Sequence, residues 1–277
     1  FASNLVADDA NSGSDVFVWM PEEGIRCVTC SLLEGGDSFQ PVIAPNAVYF
    51  LSTATSLIPP DAGSPQAYQW MSGSIRVIRS PEGAYFDSVE SLVVSPNGRY
   101  VVLTASLLPD QPLGIYVYLS SQDNLIPITQ LQLSSDLKAT DVSDEGQIVL
   151  NTRARLTAED VDEMDDVYVW DIRSGQLSLV SRNPVGSKAN GPSYGGRIDA
   201  GGNKVVFVSQ GSNLVAGDLN QEEDVFVYDL VRNTLYCVTR EQMGLPIGGS
   251  QACITGDGST VVFITGRSEV AWMPASE

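Results

Sequence analysis

The chain has 277 residues, of which 43% are hydrophobic and 18% charged, a composition that suits a folded globular protein and excludes intrinsic disorder. Its 34 acidic and 15 basic residues give a net charge of -19, so we expect no nucleic-acid partner. It has no histidine, which removes the usual Ser–His and Cys–His nucleophile pairs, and no apolar run long enough for membrane insertion.

An aromatic strand is the first predicted element, and it recurs along the chain. The copies begin at positions 15, 67, 114, 166 and 224, which are 52, 47, 52 and 58 residues apart. They read Asp15-Val-Phe-Val-Trp19, Ala67-Tyr-Gln-Trp70, Gly114-Ile-Tyr-Val-Tyr118, Asp166-Val-Tyr-Val-Trp170 and Asp224-Val-Phe-Val-Tyr228. A second short strand follows each of them, as in Arg26-Cys-Val-Thr29. This regular spacing predicts an internal repeat.

A hairpin follows each pair of strands. Its turn carries dipeptides such as Asn97-Gly98, Gly201-Gly202 and Asp257-Gly258, which tolerate the positive φ that a tight turn requires. Each repeat therefore has four short strands, which we call A to D, and no helical periodicity. The sequence predicts an all-β fold, a β-propeller of four-stranded antiparallel blades.

The order of the strand pairs predicts how the propeller closes. C–D pairs are predicted near 15–30, 67–79, 114–129, 166–181 and 224–239, and A–B hairpins near 42–51, 92–104, 140–150, 195–208 and 252–265. The N-terminal C–D strands should pair with the C-terminal A–B hairpin and close a ring of five blades. Residues 1–277 are then one propeller domain, with repeats near 1–52, 53–104, 105–155, 156–209 and 210–266.

A six-bladed ring is the alternative. Glu269-Val-Ala-Trp-Met-Pro274 resembles Val16-Phe-Val-Trp-Met-Pro21, as though a sixth C strand began there. Phe1 also matches the last apolar residue of a B strand, as in Phe207 and Phe263. Both observations are expected if the repeat continues beyond the ends of the chain.

Two stretches resemble the WD40-like, TolB-type (PD40) propeller repeats of bacteria. Ser3-Asn-Leu-Val-Ala-Asp-Asp-Ala-Asn11 leads into the first C strand, and Ser212-Asn-Leu-Val-Ala-Gly-Asp-Leu-Asn220 leads into the fifth. The Ser95-Pro-Asn-Gly98 turn is similar to the Ser-Pro-Asp-Gly hairpin of that family. The resemblance implies the propeller fold. It does not specify activity, because such propellers serve as periplasmic scaffolds, extracellular modules and substrate-gating domains of serine peptidases.

An acidic loop precedes three of the C strands with the shared spacing Asp-x-Asn/Asp-x-x-x-Asp. The copies are Asp9, Asn11 and Asp15; Asp160, Asp162 and Asp166; and Asp218, Asn220 and Asp224. Alternating oxygen ligands in a tight loop suit Ca²⁺. The same side chains can instead accept hydrogen bonds from their own loop and fix a turn. The sequence favours turn formation and leaves Ca²⁺ as the one cofactor prediction.

Four cysteines, Cys27, Cys30, Cys237 and Cys253, permit two disulfides. A four-thiolate zinc site is disfavoured because the second pair lacks the short spacing of a zinc knuckle. The even cysteine count, the acidic loops and the first residue, which is not methionine, indicate a secreted, cell-surface or periplasmic bacterial protein.

Four acidic residues fall outside the repeat pattern: Glu90, Asp141, Asp144 and Glu145. Paired carboxylates could cleave or bind a glycan in the central funnel, which is the alternative function. Most acids, however, lie in the repeated loops. We therefore expect no catalytic residues and a non-enzymatic binding or scaffolding domain, whose partner is another protein, an identical subunit or a glycan.

Overall fold

A computed structural model describes residues 5–7, 9, 13–30, 36–57, 65–128, 131, 134–218, 222–239, 248–265 and 269–275. All the regular elements in these residues are β-strands. Within the same residues, no helix could cross a membrane. The chain forms two compact units, Phe1–Ile128 and Thr129–Glu277. We describe each unit by itself, and the single domain over 1–277 stays a prediction.

The first unit holds three antiparallel sheets. Their strands are β1 (Phe17–Met20) with β2 (Gly24–Cys27); β3 (Ser38–Ala44), β4 (Ala47–Ser52), β5 (Gln66–Met71) and β6 (Ser74–Val77); and β7 (Ser88–Val94), β8 (Tyr100–Ser106), β9 (Gly114–Leu119) and β10 (Asn124–Pro127). The strands of each sheet follow one another in chain order, as a propeller blade requires.

The second unit also holds three antiparallel sheets. Their strands are β11 (Lys138–Val142), β12 (Gln147–Thr152), β13 (Asp166–Asp171) and β14 (Gln176–Leu179); β15 (Ser193–Ile198), β16 (Lys204–Ser209), β17 (Asp224–Asp229) and β18 (Thr234–Cys237); and β19 (Gly249–Ile254), β20 (Thr260–Thr265) and β21 (Val270–Pro274). The predicted all-β blade architecture is therefore confirmed: four sheets contain the complete A–B–C–D meander.

The predicted turns and strands also match in detail. Gly98, Gly202 and Gly258 have φ of 73°, 70° and 66°, the left-handed region that the A–B turns require. In each of the five A strands the register shifts by a β-bulge, for example between Phe39 and Val42. A bulge increases the local twist of a strand.

Side chains from adjacent sheets form the cores. In the second unit, Phe207 of β16 stacks on Phe226 of β17 with ring centroids 5.7 Å apart. Their side of the sheet packs with residues of β12 and β13, among them Val149 and Val167. The opposite side of the same sheet packs with β19 and β20. Each sheet between two others is thus buried on both faces, which explains its continuous apolar B and C strands.

The predicted ring closure requires correction. We expected the N-terminal C–D pair to join the last A–B hairpin, but β20 pairs with β19 on one side and with β21 on the other. The edge is therefore taken by Val270–Pro274, the segment that the sequence offered as a sixth C strand. A strand that follows β20 after a few residues closes a short loop, which costs less entropy than a pairing across the chain. The number of blades stays a prediction.

Candidate functional site

The last aspartate of each acidic loop hydrogen-bonds to the end of the neighbouring D strand. The hydroxyls of Thr29 and Ser181 donate to Asp15 Oδ1 at 2.6 Å and Asp166 Oδ1 at 2.7 Å. Thr239 donates in the same way to Asp224. The same three hydroxyls accept the N–H of the residue after each aspartate. These aspartates therefore have a structural role, which supports the turn-forming interpretation for the third position of the motif.

The loop before β13 brings together all three of its aspartates. One carboxylate oxygen from each of Asp160, Asp162 and Asp166 lies within 4.8 Å of the others. Lys188, a buried residue of the D–A connection after β14, places its Nζ 3.0 Å from Asp162 Oδ1 and 2.9 Å from Asp166 Oδ2. The Tyr168 hydroxyl donates to Asp160 Oδ2 at 2.5 Å. An internal ammonium group thus offsets part of the negative charge of the cluster where a metal ion would bind.

Burial and this ion pair determine the titration of the cluster. Burial raises the pKa of Asp166 to about 6, although the Ser181 hydroxyl and the Lys188 ammonium both favour its charged form. Burial alone would lower the pKa of Lys188, but Asp166 and Asp162 outweigh it and hold that pKa above its ordinary value. Lys188 is thus a positively charged neighbour that would repel Ca²⁺ at this loop, where Ca²⁺ stays a prediction.

The loops before β1 and β17 lack these two supports. At the strand position that Tyr168 occupies in β13, β1 has Phe17 and β17 has Phe226. Phenylalanine has no hydroxyl that could donate to the first aspartate of the loop. The corresponding D–A connections, 30–37 and 240–248, contain no lysine. Asp9 and Asp218 are described, whereas Asn11 and Asn220 lie outside the described residues. For these two loops Ca²⁺ stays a prediction.

The cysteines do not form a four-thiolate site. Cys27 and Cys30 are joined in a disulfide at the end of β2. Cys237 and Cys253 are free, and burial raises the pKa of the Cys237 thiol to about 11. Two of the four sulfurs required for zinc are thus bonded to each other, and the thiol of Cys237 is held in its unreactive protonated form.

Two of the four off-pattern acids have partners that are typical of structural residues. Asp141 accepts from the backbone N–H groups of Ile198 at 3.0 Å and Val142 at 2.9 Å, and burial raises its pKa. Glu145 pairs with Arg173 at 2.6 Å. Glu90 lies in β7, in the other compact unit. The predicted alternative, a carboxylate pair for glycan cleavage, stays a prediction.

A polar cleft in the second unit was not predicted from the sequence. Its lining comes from the D–A connection before β11 and the B–C loop after β12: Ser134, Ser135, Asp136, Arg153, Ala154, Arg155 and Glu163. Asp136 accepts from the backbone N–H of Arg153 at 2.7 Å and from the Thr152 hydroxyl at 2.9 Å. Burial alone would raise the pKa of Asp136, but these and further donors outweigh it and lower the pKa to about 2.

Exposed side chains surround this cleft. Arg155 and Glu163 form a long ion pair at 3.7 Å, and both side chains are more than half exposed. Val161 and Met164, in the same B–C loop, are also exposed. We call the cleft and these two apolar residues the loop face. Glu163 lies inside the repeated acidic loop but not at one of its shared positions, so only the fold shows that it lines one cleft with Asp136 and Arg153.

Comparisons with known proteins identify the fold. No family model and no curated protein matches the chain. Among solved structures it is similar to TolB from Acinetobacter baumannii, with a TM-score of 0.56 and 17% identity over 94% of this chain. It spans only 57% of that protein's length. The β-propeller is therefore TolB-like in fold.

Two enzymes have the same architecture. Dipeptidyl peptidase 4 from Porphyromonas gingivalis matches with a TM-score of 0.57 and 10% identity, over 97% of this chain and 41% of that one. An oligogalacturonate lyase in complex with manganese matches with a TM-score of 0.58 and 10% identity, over 91% and 64%. At such identities the likeness concerns the fold alone, so activity has to be argued from the residues of this chain.

Proposed function

We propose that this chain is a non-enzymatic binding or scaffolding propeller that recognises another protein through its loop face. The observation that carries the proposal is the combination of an open polar cleft with exposed Val161 and Met164 beside it. Apolar side chains rimmed by charged groups are typical of protein interaction sites. Among the acids outside the repeat, Asp141 accepts two backbone N–H groups and Glu145 pairs with Arg173.

The proposal also places the protein outside the cytoplasm. The Cys27–Cys30 disulfide supports this location, because such bonds persist in oxidising compartments. Mass spectrometry of the natural protein after thiol labelling without reductant should find two labelled cysteines. Four labelled cysteines would contradict the location.

A double variant tests binding at the loop face. Arg155→Glu with Val161→Asp reverses one charge and introduces another, and both side chains are exposed, so we expect an unchanged melting temperature. With the chain as bait in cell-envelope extract, we expect specific proteins to be retained at least about tenfold less by the variant, as for the loss of an interface hot spot.

The matched control is Val231→Ser. Val231 is exposed in the turn between β17 and β18, at the end of the blade opposite to the B–C loops. This control should retain the same proteins as the unaltered chain. Equal retention by both variants would show that the loop face is not the binding site.

The alternative function is glycan cleavage in the funnel, and the raised pKa of Asp141 is the observation that favours it. Incubation with acidic and neutral polysaccharides, followed by assay of reducing ends and unsaturated products, separates the two proposals. Products that disappear in Asp141→Asn would replace the binding proposal with an enzymatic one.

A further inference from the structure

The end of one D strand departs from the hydrogen-bond pattern of three other blades. In those blades a threonine or serine at this position donates to the last aspartate of the acidic loop, as Thr29 does to Asp15. The strand register places Arg79 and Gln66 at the equivalent positions of the β3–β6 sheet. Gln66 instead exchanges hydrogen bonds with the backbone of Phe86, at 2.7 and 3.2 Å. The side chain of Arg79 is thus not needed for the bond that the repeat makes here, and the residue is exposed.

The guanidinium group of Arg79 is held in place by the connection that follows β6. Its Cζ lies 4.2 Å from the centroid of the Tyr85 ring, a cation–π contact. It also donates to the Tyr85 hydroxyl at 2.8 Å and to the carbonyl oxygen of Gly83 at 3.3 Å. These bonds use two of the five N–H groups of an arginine, so donors remain for a ligand. Because the group is already positioned, binding a ligand costs it little further conformational entropy.

Arg79 lines a cleft of about 360 Å³ between the outer strands of two adjacent sheets of the first unit. One wall comes from β6 and the connection after it, and the other comes from the β9–β10 hairpin. Arg76 of β6 spans the cleft and donates to Asp123 Oδ2 at 2.9 Å and to the Tyr118 hydroxyl. The charged residues that line the cleft are two arginines and one aspartate, with a net charge of +1.

Positive charge is scarce in this part of the chain. Residues 1–128 contain four arginines and no lysine, and two of the four line this cleft. The whole chain has a net charge of -19, so it repels anions at long range. A negatively charged group would therefore be bound here through short-range contacts with the two guanidinium groups, whose N–H groups suit a carboxylate. This charge complementarity indicates a ligand that carries a carboxylate.

The β6 wall of the cleft is the edge strand of its sheet. It pairs with β5 on one side, and in the part of the chain that the structure describes no strand pairs with its other side. The N–H of Ile78 donates to Ala67 of β5 at 2.8 Å, and neighbouring residues of a strand direct their backbone groups to opposite edges. The backbone N–H and C=O of Val77, which also lines the cleft, therefore point to the free edge. An extended peptide can add to such an edge through main-chain hydrogen bonds.

We propose that this cleft binds an acidic peptide segment of a partner protein. The segment adds to β6 as a further strand and places an aspartate or glutamate side chain against Arg79, with Arg76 as the second positive group. Main-chain hydrogen bonds provide affinity, and the arginines select for the acidic side chain. The cleft lies in the first compact unit and the loop face in the second, so this is a second binding site that does not rest on the first.

Selection from a random peptide library displayed on phage, with the full chain immobilised, tests the proposal. We expect the selected peptides to contain aspartate or glutamate. In fluorescence anisotropy with labelled copies of these peptides, Arg79→Gln should bind at least about tenfold more weakly than the unaltered chain, because charge-assisted hydrogen bonds are lost. Arg79→Lys should also bind more weakly, since it keeps the charge and loses the planar group that a carboxylate matches. Arg79 is exposed, so equal melting temperatures would verify that both variants fold.

The matched control is Arg99→Gln. Arg99 is exposed in the same unit, and its guanidinium lies 5.1 Å from the centroid of the Tyr100 ring, but it does not line the cleft. This control removes the same charge and should bind the acidic peptides like the unaltered chain. The double variant Arg155→Glu with Val161→Asp should bind them unchanged as well, which separates this site from the loop face. A selection that yields no peptide or only peptides without acidic residues, or acidic peptides that bind Arg79→Gln as tightly as the unaltered chain, would overturn the inference.

Discussion

Lys188 is one of only three lysines in the chain, and its side chain is almost fully buried between carboxylates. Motif spacing alone could not reveal it, because the three loops share their aspartates and differ in a residue more than twenty positions away. Lys188 reaches the carboxylates because the connection after β14 passes next to the loop that precedes β13. An acidic motif that reads as a metal site is thereby changed, in this copy, into an internal ion pair.

Replacing Lys188 with alanine should be strongly destabilising. Removal of one partner from a buried ion pair leaves an uncompensated charge and costs about 3 to 5 kcal/mol. The decrease in the free energy of unfolding should be greater at pH 7 than at pH 5. Asp166 has a raised pKa of about 6, so it is increasingly protonated as the pH falls and then needs no positive partner. Urea unfolding at both pH values measures it.

The matched control for this prediction is Lys138→Ala, which removes an exposed lysine from β11. It should change the free energy of unfolding by no more than about 0.5 kcal/mol. A Lys188→Ala protein as stable as this control would show that the cluster does not need the ammonium group.

Asp136 should contribute to acid unfolding. Its folded-state pKa of about 2 lies below the ordinary value of 3.8, so its stabilisation is present above pH 4 and is lost as the pH falls towards 2. The difference corresponds to about 2 kcal/mol. Asp136→Asn should lack this part of the pH dependence in urea titrations between pH 5 and pH 2, whereas Asp110→Asn, in an exposed loop, should keep it. Parallel curves for Asp136→Asn and the unaltered chain would contradict the assignment.

At the scale of the elements, the acidic loops before β1 and β17 are the remaining candidates for Ca²⁺. If they bind it, the melting temperature should rise by several degrees between 1 mM EDTA and a few millimolar CaCl₂, because the ion stabilises the native state by mass action. Asp218→Asn should reduce this rise. Asp160→Asn should not, because Lys188 already forms ion pairs with Asp162 and Asp166 in its loop. An unchanged melting temperature in all three proteins would leave hydrogen-bonded turns as the role of these loops.

Sequence patterns predicted the strands well because their signals are local. The Asn97-Gly98 turn and the aromatic C strands depend on residues within a few positions of one another. The pairing at the last sheet depended instead on two similar segments, in and directly after β1 and in β21, which share Trp-Met-Pro. The repeat spacing fits both segments equally well, so it does not indicate which of them pairs with the edge of β20. The loop-face cleft was missed for a related reason, since its lining comes from two connections with no shared motif.

At the scale of the whole molecule, net charge is the property that acts between copies of the chain. A net charge of -19 makes copies repel one another, and added salt screens this repulsion. The cleft of the loop face is lined within the second compact unit, by the β11–β14 blade and its neighbouring connections.

The Cys27–Cys30 disulfide joins residues only three positions apart. A crosslink restricts the unfolded chain according to the length of the loop that it closes, and so short a loop corresponds to about 2 kcal/mol at most in the chain-entropy model. The hydroxyl of Thr29, between the two cysteines, still holds Asp15 without it. The bond therefore contributes little to the stability of the fold, and a reduced chain should keep its blades.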